Sequence, residues 1–150
     1  MHAPIEFRHL ESRQDLLAAF PVMKELRPHL DSAPAFASQV RRQHAQGYRL
    51  LAACRHDAVL GLAGYRLQEN LIYGRFVYVD DLVVSAALQR GGLGAQLLEA
   101  ARAQAVALGC AHFVLDTGLH MALAQRFYFR QGLLARGLHF VAPLAPGAPS

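Results

Sequence analysis

Residues 89–94 read Gln-Arg-Gly-Gly-Leu-Gly, between a β-rich apolar run from Phe76 to Val84 and an amphipathic run from Leu93 to Leu108. A strand that enters a helix through such a turn leaves N–H groups unpaired at the helix N-terminus. With the helix dipole behind them, those donors suit a phosphate or pyrophosphate. Gly92 and Gly94 carry no Cβ, so the backbone can approach the anion closely, and Arg90 adds a cation. The turn therefore points to a phosphorylated cofactor. A second chemical feature lies just upstream, where Asp80 and Asp81 sit side by side inside the apolar run. Burying a carboxylate without a partner is costly. Neighbouring side chains of a regular strand point to opposite faces, so one acid is expected to face a cleft and the other a helix or a cationic partner.

The elements that must position these groups can be read from pattern. Ile5 to Arg8 reads as a first strand. Ser12 is an expected N-cap for a helix through Leu26, with Pro21 marking a kink or break. Ser32 opens a second helix, from about Ala35 to Ala45, closed by Gly47. Tyr48 to Cys54, Val59 to Leu67 and Phe76 to Val84 read as a meander of three strands, turning at His56-Asp57 and broken again at Glu69-Asn70. Leu93, Leu97, Leu98, Ala101, Ala105 and Leu108 recur at helical spacing, and Gly109 ends that helix. A short strand from His112 to Leu115, a helix from Ala122 to Arg130 and a last strand from Leu133 to Val141 follow. The order predicts an α/β (α+β) domain spanning 1–150: a mixed, mainly antiparallel sheet with helices on both faces and a frayed tail over 143–150.

The turn lacks the Gly-x-x-x-x-Gly-Lys-Ser/Thr of a P-loop and the Gly-x-Gly-x-x-Gly of a dinucleotide site. It does satisfy Arg/Gln-x-x-Gly-x-Gly/Ala, through Gln89, Gly92 and Gly94. Residues 124–133, Ala-Gln-Arg-Phe-Tyr-Phe-Arg-Gln-Gly-Leu, match Ala-x-x-Leu/Phe-Tyr-x-x-x-Gly-Phe/Leu. In these two signatures, and in their order over the second half of the chain, the sequence resembles the GNAT superfamily of acyl-CoA-dependent N-acyltransferases. One departure is Met121, where relatives often carry an Asn that contacts pantetheine.

The resemblance implies acetyl-CoA as co-substrate, with its pyrophosphate held by the turn residues Gln89, Arg90, Gly91, Gly92, Leu93, Gly94 and Ala95. It implies that pantetheine and the thioester carbonyl lie along the backbone of Leu82, Val83 and Val84, where the central strand splays from its neighbour. It also implies that Tyr128 protonates the departing thiolate. The stretch Tyr78-Val79-Asp80-Asp81-Leu82-Val83-Val84 is similar to the acidic strand of the diamine acetyltransferases, which makes Asp80 the first candidate for serving the amine and Asp81 the second.

The rest of the chain narrows the class. Its 150 residues are 53% apolar, no apolar run approaches a membrane span, and the start lacks a signal peptide's apolar region, which reads as cytoplasmic. The formal charge is +4 and the pI about 9.5, yet the cations are dispersed, so no nucleic-acid block exists. The histidines show no ligand spacing, so no metal is expected. Cys54 and Cys110 read as free thiols outside both motifs, which argues against a cysteine acyl-enzyme. The expected activity is direct acetyl transfer to a small-molecule primary amine. A protein N-terminal or lysine acetyltransferase and a non-catalytic acyl-CoA sensor are the alternatives. The acidic pair favours a cationic acceptor, and the apolar last strand offers a surface for a homodimer.

Overall fold

The computed structural model describes residues 3–148, which form two compact units divided between Asp116 and Thr117. The last two residues of the expected tail lie outside the described residues. The first unit runs β1 (Glu6–His9), α1 (Arg13–Leu26), α2 (Ala33–His44), β2 (Tyr48–Arg55), β3 (Ala58–Asn70), β4 (Gly74–Val84), a 3-10 turn (Ala86–Leu88), α3 (Leu93–Ala107) and β5 (His112–Leu115). The strands pair in the order β1-β2-β3-β4-β5, antiparallel except for the parallel β4–β5 ladder.

Both serines cap as the sequence predicts. Ser12 Oγ accepts from the Asp15 N–H at 3.1 Å and Ser32 Oγ from the Ala35 N–H at 3.2 Å. Pro21 does not break α1. It is exposed, while Leu16, Ala19, Val22 and Met23 on either side of it are buried, and that packing carries the helix through.

The sheet is covered on both faces, and β2 shows how. Leu50, Ala52 and Cys54 join Leu16, Met23, Phe36 and Val40 in the core under α1 and α2. The alternate residues Leu51 and Ala53 join Leu97, Ala101 and Ala105 in the core under α3. A strand buried on both faces loses the apolar–polar alternation, which is why Tyr48 to Cys54 reads as a continuous apolar run.

The turn between β3 and β4 differs from the sequence reading. Glu69 and Asn70 do not break β3; they pair with Arg75 and Gly74. The hairpin turns at 71–73, where the Asn70 side chain accepts from the N–H groups of Ile72 (3.0 Å) and Tyr73 (2.7 Å), so Asn70 shapes the turn from the end of the strand.

In the second unit α4 spans Ala122–Arg130, as the spacing predicts, but no strand follows among the described residues. Leu134, Leu138, Phe140 and Val141 are largely exposed, and His139 is not a sheet residue. Apolar content makes a strand only where a ladder partner exists, and Gly137 weakens this segment further. The strand that offered a dimer surface is therefore not formed. Among the described residues, no helix is long and apolar enough to cross a membrane.

Candidate active site

The acidic pair lies at a fault in the β3–β4 ladder. Gly64 pairs with Asp81 and Tyr65 with Val79, so Asp80 is an extra residue with no partner, a β-bulge. The bulge overturns the expectation that the two acids face opposite ways. Both line one cavity of about 420 Å³ in the first unit, together with Met23, Phe36, Val40 and Tyr48.

Each carboxylate has a cation. Arg66 grips Asp80 with two bonds, Nε to Oδ2 at 2.9 Å and Nη2 to Oδ1 at 2.7 Å. Arg27, just past the end of α1, donates Nε to Asp81 Oδ1 at 3.0 Å and Nη2 to the Asp80 carbonyl at 2.8 Å. Asp81 Oδ2 accepts from the Tyr48 hydroxyl at 2.8 Å. Burial raises the Asp80 pKa above the ordinary carboxylate range, and Arg66 opposes that rise. Burial, reinforced by Asp81, holds the Tyr48 phenol well above its usual value. Tyr48 reaches Asp81 because Gly64 leaves room for it; a Cβ there would come within 1.9 Å of the Tyr48 hydroxyl oxygen. Beside Asp80, the Tyr78 hydroxyl donates to Asp116 Oδ2, and the Arg66 guanidinium lies 5.9 Å from the Tyr78 ring centre.

The Gly-rich turn has the backbone that an anion site needs. Arg90 and Gly92 both have positive φ, 75° and 83°. Gly92 is the N-cap of α3, with no side-chain cap and no acidic residue in the first turn. The N–H groups that open this 15-residue helix therefore have no capping side chain among the described residues. The turn is tied back to the sheet by Gln89, whose Nε2 donates to the Val84 carbonyl at 3.2 Å. At the turn's start, the Glu25 carboxylate of α1 accepts the Ala86 N–H at 2.8 Å.

Between the acids and the turn runs the far end of β4. Its ladder with β5 stops at Val79–Leu115. The Ser85 N–H donates to Leu60 O at 2.8 Å, so strand alternation turns the N–H and C=O groups of Leu82 and Val84 away from β3, and those of Val83 toward it. Leu82 and Val84 thus present a backbone edge beyond the β5 ladder.

Tyr128 belongs to the second unit, on α4, packed edge-on to Phe127 with ring centres 5.4 Å apart. Burial raises its phenol pKa, which keeps the proton on the hydroxyl.

Residues 11–133 match the model of the acetyltransferase (GNAT) family. The chain belongs to the GNAT acetyltransferase family. An uncharacterized N-acetyltransferase of Bacillus subtilis, YhdJ, is 28% identical over 124 residues, 83% of this chain and 87% of that protein. Among solved structures, an acetyltransferase of Trypanosoma brucei superposes with TM-score 0.78 at 20% identity, over 94% of this chain and all of that one. The aminoglycoside N-acetyltransferase AAC(6')-Iy, in complex with CoA, superposes with TM-score 0.82 at 15% identity, over 97% and 98% of the two chains. At such identities these likenesses establish the GNAT fold.

Sequence reasoning missed the partners that complete this GNAT cavity: Arg66, Arg27, Tyr48 and Tyr78. For Arg66 a signal existed. An antiparallel hairpin between Val59–Leu67 and Phe76–Val84 brings Arg66 opposite Tyr78, within reach of Asp80. Arg27 gave none, because it follows a helix end and meets β4 only through tertiary packing.

Proposed function

We propose that this GNAT enzyme transfers the acetyl group of acetyl-CoA directly to the primary amine of a small molecule. The observation that carries the reading is the cavity beside the bulge, which holds Asp80 at the end of the β4 backbone edge. Its volume of about 420 Å³ suits a small acceptor, within the roughly 300–1,000 Å³ of small-molecule sites, and a lysine-bearing or N-terminal peptide would call for an open groove.

Acetyl-CoA is the co-substrate. The N–H groups of the 89–95 turn hold its pyrophosphate, with Arg90 alongside, and the Leu82 and Val84 edge takes the pantetheine amides as an added strand. Backbone donors of Leu82 and Val84 steady the oxyanion as the amine nitrogen bonds to the carbonyl carbon, the Val83 groups being turned toward β3. Asp80 accepts the ammonium proton, directly or through water. Its fork to Arg66 uses one lone pair on each oxygen and leaves others for that proton, while Asp81, tied to Arg27 and Tyr48, stands second. The C–S bond then breaks and Tyr128, half-buried and held neutral by its raised pKa, gives the thiolate a proton. Cys54 is fully buried and burial raises its thiol pKa, which supports a direct route over a cysteine acyl-enzyme.

The test is thiol release from acetyl-CoA with a panel of small amines and short peptides, alongside calorimetry of acetyl-CoA binding. Turnover on small amines and not on peptides is expected. Tight acetyl-CoA binding with no turnover on any amine refutes catalysis and favours a sensor.

A further inference from the structure

We infer that the acceptor carries its own anion: an apolar α-amino acid, or a similar amine with a carboxylate a few bonds from the nitrogen. The inference rests on the transferase reading and concerns which amine enters the same cavity. The neighbouring carboxylates suggest a cationic acceptor when only the sequence is seen, but the structure cancels that charge. Asp80 has both oxygens in the Arg66 fork, and Asp81 has one on Arg27 and the other on Tyr48. Two acids against two arginines leave the cluster neutral. An acceptor with two or more ammonium groups brings charge that this cavity does not balance, and shedding water from that charge is unfavourable.

The cavity's unused polar capacity is of the opposite kind. Arg27 spends Nε and Nη2, and no hydrogen bond engages its Nη1 among the described residues. The side-chain amides of Gln39 and Gln43 and the ring of His29 line the same space, likewise without hydrogen bonds among the described residues. These donors suit a carboxylate. The Tyr48 and Tyr78 hydroxyls have already given their protons to Asp81 and Asp116, so they offer oxygen lone pairs to an ammonium. Arg27 itself bonds the Asp80 carbonyl, so the site for the anion and the site for the amine adjoin within one small cavity. Met23, Leu30, Phe36 and Val40 supply an apolar wall for the remainder of the molecule.

The experiment compares kcat/KM by thiol release for leucine, methionine and phenylalanine against their own amides, and against a linear diamine and kanamycin. The amide's amine is less basic and loses its proton more readily, so reactivity alone favours the amide. A preference for the free amino acid therefore reports binding of the carboxylate. We expect that preference to be about tenfold or more, the worth of one charge-assisted hydrogen bond. Arg27→Gln should erase it and shift turnover toward the amides and the diamine, because Asp81 is then uncompensated. Arg27→Lys should retain it, and both variants should bind acetyl-CoA as before. If the unaltered enzyme prefers amides, the diamine or kanamycin, the inference fails while the transferase reading stands. Silence across the whole panel with acetyl-CoA still bound overturns both.

Discussion

Replacing Gly92 with valine separates the anion site from the fold. Gly92 has φ 83° and ψ 0°, a left-handed conformation that a β-branched residue resists. Holding valine there should cost about 1–3 kcal/mol of stability. For a chain of this length that is a fall in Tm of roughly 2–12 °C. The protein itself offers no further obstacle, since a Cβ at Gly92 meets nothing within 4 Å. The new side chain should instead crowd the open space beside the start of α3, where the pyrophosphate is proposed to lie. Separating the anion from even two of those donors removes about 3–6 kcal/mol, at about 1.5–3 for each charge-assisted bond. Acetyl-CoA should then bind about a hundredfold to ten-thousandfold more weakly. The control is Gly109→Val, at the other end of the same helix, where φ is 74° and a Cβ again meets nothing. It carries similar strain and should leave acetyl-CoA affinity intact. Calorimetry with thermal unfolding reads both quantities on each variant. An unaltered Kd for the Gly92 variant, or an equal loss in both, refutes the pyrophosphate assignment.

Three further perturbations address the remaining chemistry. Tyr128→Phe should lower kcat by about a hundredfold or more while leaving acetyl-CoA affinity unchanged; an undiminished kcat removes Tyr128 from the mechanism. Arg66→Met keeps the apolar stem but withdraws the cation that lowers the Asp80 pKa, so that pKa rises further. The acid limb of kcat/KM should move to higher pH by about 1–3 units, and a limb that stays in place excludes Asp80 as the base. Tyr48→Phe deletes the bond to Asp81 and should cost about 1.5–3 kcal/mol in urea unfolding near neutral pH. Because the folded-state pKa of Tyr48 lies above the ordinary 10.0, its contribution is complete below that value. The contribution is lost as pH climbs from 10.0 through the folded-state value, so the gap between the two proteins should narrow as pH rises above 10.0. A gap that stays constant contradicts the sign of that shift.

Where local chemistry determines local structure, the sequence could be read directly. Ser12 and Ser32 cap the helices they precede, and β5 and α4 fall within the predicted bounds. The turn at 89–94 was legible for the same reason, since its glycines and the flanking patterns fix a strand, a turn and a helix start within a few residues. The last strand was not legible, because an apolar run shows hydrophobicity without showing a partner to pair with. The cations of the cavity were hidden for a related reason. Arg27 lies 54 residues from Asp81, and no pattern along the chain links a helix end to that strand.

The bulge shows how far one residue can shift a site. Before it, Val77 and Val79 face the core under α3, while Tyr78 and Asp80 line the cavity on the other side of the sheet. Unbroken alternation would carry Asp81 and Val83 to the α3 side. Instead Asp81 lines the cavity and Val83 packs under α1 and α2, while Leu82 and Val84 pack under α3. One unpaired residue therefore inverts the facing of everything after it, as a slip of register does. Two effects follow together. Asp81 is brought beside Asp80, where both need cations, and Gly64 opposite Asp81 lets Tyr48 reach it. Inserting a residue opposite Asp80, which would restore pairing, would also return Asp81 to the α3 core and strip Arg27 of its partner. The irregularity in the ladder is therefore what assembles the neutral acid–arginine cluster, and with it the cavity's proposed choice of acceptor.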